Sequence, residues 1–302
     1  MPSDKHLFTE ESGSRARTKV RGDPPRTPQT SGPRPFSGRV RDAASKRHHS
    51  RYAGIFIRNP PMLPGTYKPG QPKHWAMERP AGNATSADHP RSPVYLPLKP
   101  ADVEEAARLY TDVFIADEPT THRYAPDPEI FLPYARRYTE FLARKELSYI
   151  ARDGRTGEIA GFIFCLDLTG DLAAEGAKMA EFLAHFRETV EMIDELEEQY
   201  IDRDKIAAGT VLHIYQIGVA RPYRGCGTAQ AMIRRALISA RELGFSRAVA
   251  DCTGPISRRA FERCGFVQAG ILPYDSFSKN GVAFFSGIDG GISLMVREIE
   301  TA

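Results

Sequence analysis

The chain predicts a mixed α/β domain, a central sheet flanked by helices, preceded by a tail that takes no part in the fold. Three observations carry this. Residues 211–266 read as strand, glycine-rich turn, helix, strand and helix without interruption. Two further strand-like runs, Leu147–Arg152 and Glu158–Leu168, meet at Asp153-Gly-Arg-Thr-Gly157 as the arms of a hairpin do. Composition changes sharply near residue 93, so the 302 residues divide into a tail, 1–93, and one domain, 94–302.

The tail holds 17 Lys and Arg against 7 Asp and Glu, a net of +10, while the remainder holds 24 against 31, a net of −7. Fourteen of the 23 prolines lie in it, with few aliphatic residues to bury. Such a segment cannot offset its own ordering entropy and is expected to be disordered. Its basic clusters are short, and Asp4, Glu10 and Glu11 argue against an organellar transit peptide, so it is read as an inert leader rather than a nucleic-acid or lipid arm. The longest apolar run, Ile159–Leu166, falls well short of the roughly 18 residues that span a bilayer. Cys165, Cys226, Cys252 and Cys264 show no paired metal spacing, which suits reduced thiols and a cytoplasmic protein without a metal.

Within the domain, Val94–Leu98 reads as a short strand that Pro97 confines to an edge. A helix follows from Asp102 to Phe114, with Val103, Ala106, Ala107, Tyr110 and Phe114 on one face, and a second helix spans Pro128–Lys145. After the hairpin comes an insertion, 172–208. In it Met179, Phe182, Phe186, Val190, Ile193, Leu196 and Tyr200 recur every three or four residues, as on one amphipathic helix that Gly176 can interrupt early. That stripe is read as packing on its own domain, with a monomer or a homodimer both open.

Val211–Val219 is apolar and β-branched along most of its length, the composition of a strand buried on both faces and therefore central. Gly225 and Gly227 in the following turn let backbone N–H groups converge on an anion, and the helix from about Gly227 to Leu243 adds the positive end of its dipole. The turn lacks the lysine of a P-loop and the spacing of a dinucleotide fingerprint. Arg247–Cys252 is the next strand, Ser257–Phe266 a helix, Phe266–Leu272 a strand, 273–291 a long glycine-rich loop, and Ile292–Ile299 the last strand.

Arg224-Gly-Cys-Gly-Thr-Ala229 fits the Arg/Gln-x-x-Gly-x-Gly/Ala signature of the GNAT superfamily of N-acetyltransferases, and Ser257–Phe266 resembles that family's closing helix. Val113-Phe-Ile-Ala-Asp-Glu-Pro119, Tyr274-Asp275 and Met295–Ile299 resemble the insect-type arylalkylamine branch. The resemblance covers Val94 to Glu300. It implies the GNAT fold with a mostly antiparallel mixed sheet, acetyl-CoA as cosubstrate, and a primary amine as acceptor, with no nucleic-acid or membrane partner. Polyamines, amino acids and protein N-termini remain open as acceptors, and so does a degenerate, cofactor-free binding module.

Carried over residue by residue, the resemblance makes Glu118 the general base. Ser257, on one helix face with Phe261, becomes the general acid, with Thr253 a conservative replacement for a second serine four residues earlier, at the strand-to-helix turn; Thr253 alternatively caps that helix. The tyrosine that most of the superfamily uses as the acid is Phe261 here, which has no proton to give. Ile217, Gly218 and Val219 would meet the thioester, and Arg224, Gly225, Cys226, Gly227, Thr228 and Ala229 the pyrophosphate, with Cys226 a spacer rather than a nucleophile. Phe114, Asp117, His213 and Tyr274 are the candidate amine-binding residues, Asp117 and His213 being alternative bases. Phe277 is a further aromatic in reach of the amine. Glu118 is read as an acid at a helix C-terminus, where the dipole disfavours it.

Overall fold

A computed structural model describes residues 93–300. The predicted disordered tail lies outside them, apart from Pro93. Seven strands form one sheet in the order β1-β2-β3-β4-β5-β7-β6. They are β1 (Val94–Pro97), β2 (Tyr149–Arg152), β3 (Ile159–Asp167), β4 (Val211–Val219), β5 (Arg247–Cys252), β6 (Val267–Pro273) and β7 (Gly291–Glu298). Only β4 and β5 pair in parallel, so the sheet is mixed and mostly antiparallel. β4 is the fourth of seven, central as its composition requires, and β1, carrying Pro97, is an edge.

Side chains alternate across β3: Ile163 and Cys165 enter one core, Phe162, Phe164 and Leu166 the other. The first core is closed by α6 (Thr228–Glu242) and α7 (Pro255–Glu262) through Met232, Ile233, Ala236, Leu237 and Phe261. Against the opposite face pack α1 (Val103–Asp117), α3 (Pro128–Lys145) and α4 (Ala177–His185), where Tyr110 meets Phe162 and Phe164 edge-on at 5.6 and 5.5 Å. Each such buried aromatic contributes on the order of 1.5–3 kcal/mol. A third cluster joins α5 (Arg187–Tyr200) to β7 and the 273–291 loop through Met192, Leu196, Phe277 and Phe285.

Three expectations are corrected. α1 runs three residues past Phe114, and a short helix that the sequence reading lacked, α2 (Pro119–Tyr124), follows at once. The insertion is two helices rather than one, because the backbone leaves helical geometry at Phe186 (φ −111°, ψ 27°), ten residues beyond Gly176. The 273–291 segment, read as loop throughout, opens with a 3-10 turn at Tyr274, and Tyr274 and Phe285 within it are fully buried. No helix among the described residues is long and apolar enough to cross a membrane. All four cysteines are free, with Cys165, Cys252 and Cys264 buried and Cys226 exposed.

Candidate active site

The sheet opens where its one parallel pair ends. β4 and β5 are in register only from Val211/Arg247 to Ile214/Ala250, while β4 continues to Val219 against β3 alone. Past Ile214 the edge of β4 that faces β5 therefore has no strand partner among the described residues, and Ile217, Gly218 and Val219 lie on it. Gly218 is required there: a β-carbon would stand 2.4 Å from the buried Phe162 ring.

The turn that follows brings the N-terminus of α6 to this opening. Gly225 and Gly227 take φ of 79° and 81°, a region that costs other residues roughly 1–2 kcal/mol. The first-turn N–H groups of α6 thus bound a cradle suited to an anion. Its frame is hydrogen-bonded throughout. Thr228 Oγ1 donates to Tyr223 O at 3.2 Å, Tyr223 Oη donates to Asp153 Oδ2 at 2.6 Å, and Arg224 Nε donates to Val219 O at 2.8 Å. Asp153 also accepts from the Arg155 and Thr156 N–H groups, and with Tyr223 foremost these bonds hold its carboxyl below the usual range. Cys226 is exposed, its thiol toward Arg224 O at 3.6 Å. Ala229 is half-buried on the first turn of α6.

Beside the opening lies a cavity of about 150 Å³, a size that in an apolar core accepts a benzene ring. Its walls are aromatic: Tyr110 and Phe114 from α1, Phe131 and Tyr138 from α3, Phe182 and Phe186 from the insertion. Tyr215 and Gln216 of β4 complete it, the latter accepting from Tyr138 Oη at 2.6 Å. Gln216 adjoins Ile217 on β4, so the cavity and the open strand edge are about 3 Å apart along the chain.

Glu118 lines this cavity and links two helices. It ends α1 and is the N-cap of α2, its carboxylate accepting from Thr120 N at 3.1 Å, Thr120 Oγ1 at 2.8 Å and Thr121 N at 2.5 Å. The dipole argument is thereby reversed, because the charge sits at the positive end of α2. Pro119 at the first helical position is the sequence signal that marks this start. Burial raises the Tyr110 and Tyr274 phenols, and the Glu118 charge adds to both.

Phe114, His213 and Thr253 also line the cavity. Four other candidates do not. Asp117 is ion-paired to Arg224 Nη2 at 2.6 Å, and this pair ties α1 to the glycine turn. Tyr274 is fully buried, donating to Thr253 O at 2.6 Å, and Phe277 is core beside Phe285. Ser257 does not line the cavity, its hydroxyl donating to Gly254 O at 2.9 Å. Thr253 lies at the strand-to-helix turn, between β5 and α7, and Gly254 rather than Thr253 caps the helix. Phe261 packs edge-on against Phe266 in the core, 4.9 Å away.

His213 is buried, stacked on Tyr215 at 3.8 Å, with Nε2 2.8 Å from Asp251 Oδ2 and Nδ1 3.7 Å from Glu197 Oε1. These three side chains offer donors within 4.8 Å of one another. The two ring nitrogens diverge, however, so the carboxylates flank the imidazole from opposite sides instead of converging with it on a point.

A family model described as "Acetyltransferase (GNAT) family" matches residues 105–266. The chain belongs to this family, whose enzymes are acetyl-CoA-dependent N-acetyltransferases. Among solved structures, an insect putative arylalkylamine N-acetyltransferase 7 from the yellow fever mosquito Aedes aegypti is similar in fold. It has a TM-score of 0.58 at 21% identity, over 68% of this chain and 87% of that one. The C-terminal condensation domain of Ebony, in complex with beta-alanyl-dopamine, has a TM-score of 0.58 at 15% identity, over 68% and 98%. The polyamine N-acetyltransferase of Drosophila melanogaster, which forms N-acetylagmatine, has a TM-score of 0.52 at 15% identity, over 68% and 99%. No curated protein sequence matches the chain.

Proposed function

We propose that the protein transfers an acetyl group from acetyl-CoA to a small primary amine carrying an aryl or short alkyl arm, with Glu118 as the base. The observation that carries this is the carboxylate of Glu118 inside an aromatic cavity that adjoins the open edge of β4. The arylalkylamine and agmatine acetyltransferases of the same fold lend it support. Acetyl-CoA supplies the activated thioester. For its pyrophosphate the residues present fit: the left-handed glycines Gly225 and Gly227 and the N-terminus of α6 leave backbone donors that no β-carbon blocks.

An alkylamine is about 99.9% protonated at neutral pH, a deficit of roughly 4 to 5 kcal/mol for attack. Glu118, an acceptor with two oxygens, takes that proton directly or through one water. Backbone N–H groups of Ile217–Val219 meet the charge that develops on the acyl oxygen as the N–C bond forms. When the C–S bond breaks, the thiolate needs a proton. Of the two candidate hydroxyl residues, Thr253 lines the cavity and Ser257 does not, so we assign the donation to Thr253 with Ser257 in support.

Glu118→Gln tests the base. Glutamine keeps one oxygen for one of the two N–H groups that the carboxylate caps, so part of the cap survives while the proton acceptor is lost. kcat/KM should fall about 10²- to 10⁴-fold at neutral pH. The loss should shrink toward pH 9, because more amine is then already neutral. A variant matching wild type across pH 6 to 9 removes Glu118 from the role.

A further inference from the structure

The insertion supplies much of the cavity wall, and one buried ion cluster fixes where it sits. Glu197 of α5 is 1% exposed, yet it is ionisable and lies in a helix otherwise amphipathic. Arg203, three residues after α5 ends, contacts Glu197 Oε2 through Nη2 and donates to Leu168 O from Nη1 at 2.9 Å. The other oxygen of Glu197 faces His213 on β4, and His213 in turn meets Asp251 on β5. Two carboxylates are thus set against one guanidinium and one imidazole that can donate from both nitrogens, a balance that tolerates burial. Burial pushes Arg203 down to about 10, against the opposing pull of Asp251.

Within the two turns before Glu197, the same helix turns Val190, Ile193 and Asp194 into the cavity. Met192 and Leu196 pack it into the third core, and its other polar attachments are more exposed. Tyr124 Oη accepts from Thr189 N at 3.0 Å, and Lys279 pairs with Glu191. We propose that the Glu197–His213–Asp251 cluster, with Arg203, seats α5 against β4 and β5 so that α5 is a selectivity wall, admitting amines with a single ring and excluding larger ones. These are positioning residues: they act through Val190 and Ile193, which touch the amine. This inference rests on the acetyltransferase reading and deepens it by naming what limits the acceptor.

The experiment compares kcat/KM for phenethylamine and for 2-(1-naphthyl)ethylamine in the full-length protein. Ile193→Ala widens the wall without touching the cluster, and Glu197→Gln loosens the seat without touching the amine. Each should move the ratio toward the larger amine by about tenfold, as a few methylenes of pocket volume do, with the KM for acetyl-CoA within about twofold of wild type. Arg203→Lys keeps the cation but loses the fork, and should move the ratio the same way by less; it decides the matter if Glu197→Gln does not fold. An unmoved ratio in Ile193→Ala, or equal losses for both amines in the cluster variants, overturns the proposal. A wild-type protein that acetylates neither amine nor any other removes the acetyltransferase reading itself, and the inference with it.

Discussion

At Glu118, one side chain holds structure and, on the proposed reading, chemistry. It caps α2 through Thr120 and Thr121 while facing the cavity, so a substitution by glutamine removes the charge and keeps part of the cap. The residue was legible from Asp-Glu-Pro, but its setting was not. A proline after an acid reads equally as the stop of one helix or the first position of the next, and here it is both. Thr253 and Ser257 differ in another way: Thr253 stands in the turn before the cap and lines the cavity, whereas Ser257 is helical and does not, a difference their four-residue spacing alone does not reveal. If the cavity decides which hydroxyl gives the proton, Thr253→Ala should lower kcat about 10²-fold and Ser257→Ala markedly less. Neither loss should be rescued by raising the pH. Steady-state kcat at pH 7 and pH 9 checks both statements.

Among the elements, the strand, turn and helix from β4 through α6 were the most legible. Each carries its own local signal: β-branched residues, positive-φ glycines, then apolar residues at helical spacing. The cavity was the least legible, because its wall is assembled from five helices, two strands and the segments between them, and no local pattern announces such a convergence. Tyr274 and Phe277 were misjudged for a related reason: aromatic residues in a glycine-rich loop look available for a ligand, whereas these fill a core. The turn also makes a stability prediction. Asp153 titrates below its unfolded value of about 3.9, so the stabilisation is fully present above that value and is lost as the pH falls through the native one. Tyr223→Phe removes the leading cause of the shift. The denaturation midpoint of the variant should lie below that of wild type at pH 7, and the gap should narrow as the pH falls below the unfolded value and through the native one.

Across the whole molecule, charge and fold divide the labour. The segment 94–302 carries a net of −7, which draws a protonated amine toward it, while the glycine turn and α6 offer the opposite sign to an anionic cosubstrate. The sheet brings the two together. By parting from β5 after Ile214, β4 exposes a backbone edge on one stretch and walls the aromatic cavity with Tyr215 and Gln216 immediately before it. The central claim is that these neighbouring sites join acetyl-CoA to a small amine. The most direct measurement is coenzyme A release, with the acetylated product identified by mass spectrometry, from acetyl-CoA and a panel of phenethylamine, tryptamine, agmatine, spermidine and a peptide with a free N-terminus. The account predicts turnover of one or more of the small amines at rates well above thioester hydrolysis, and little or none of the peptide. Acetylation of the peptide alone, or coenzyme A release that no amine accelerates, would contradict it.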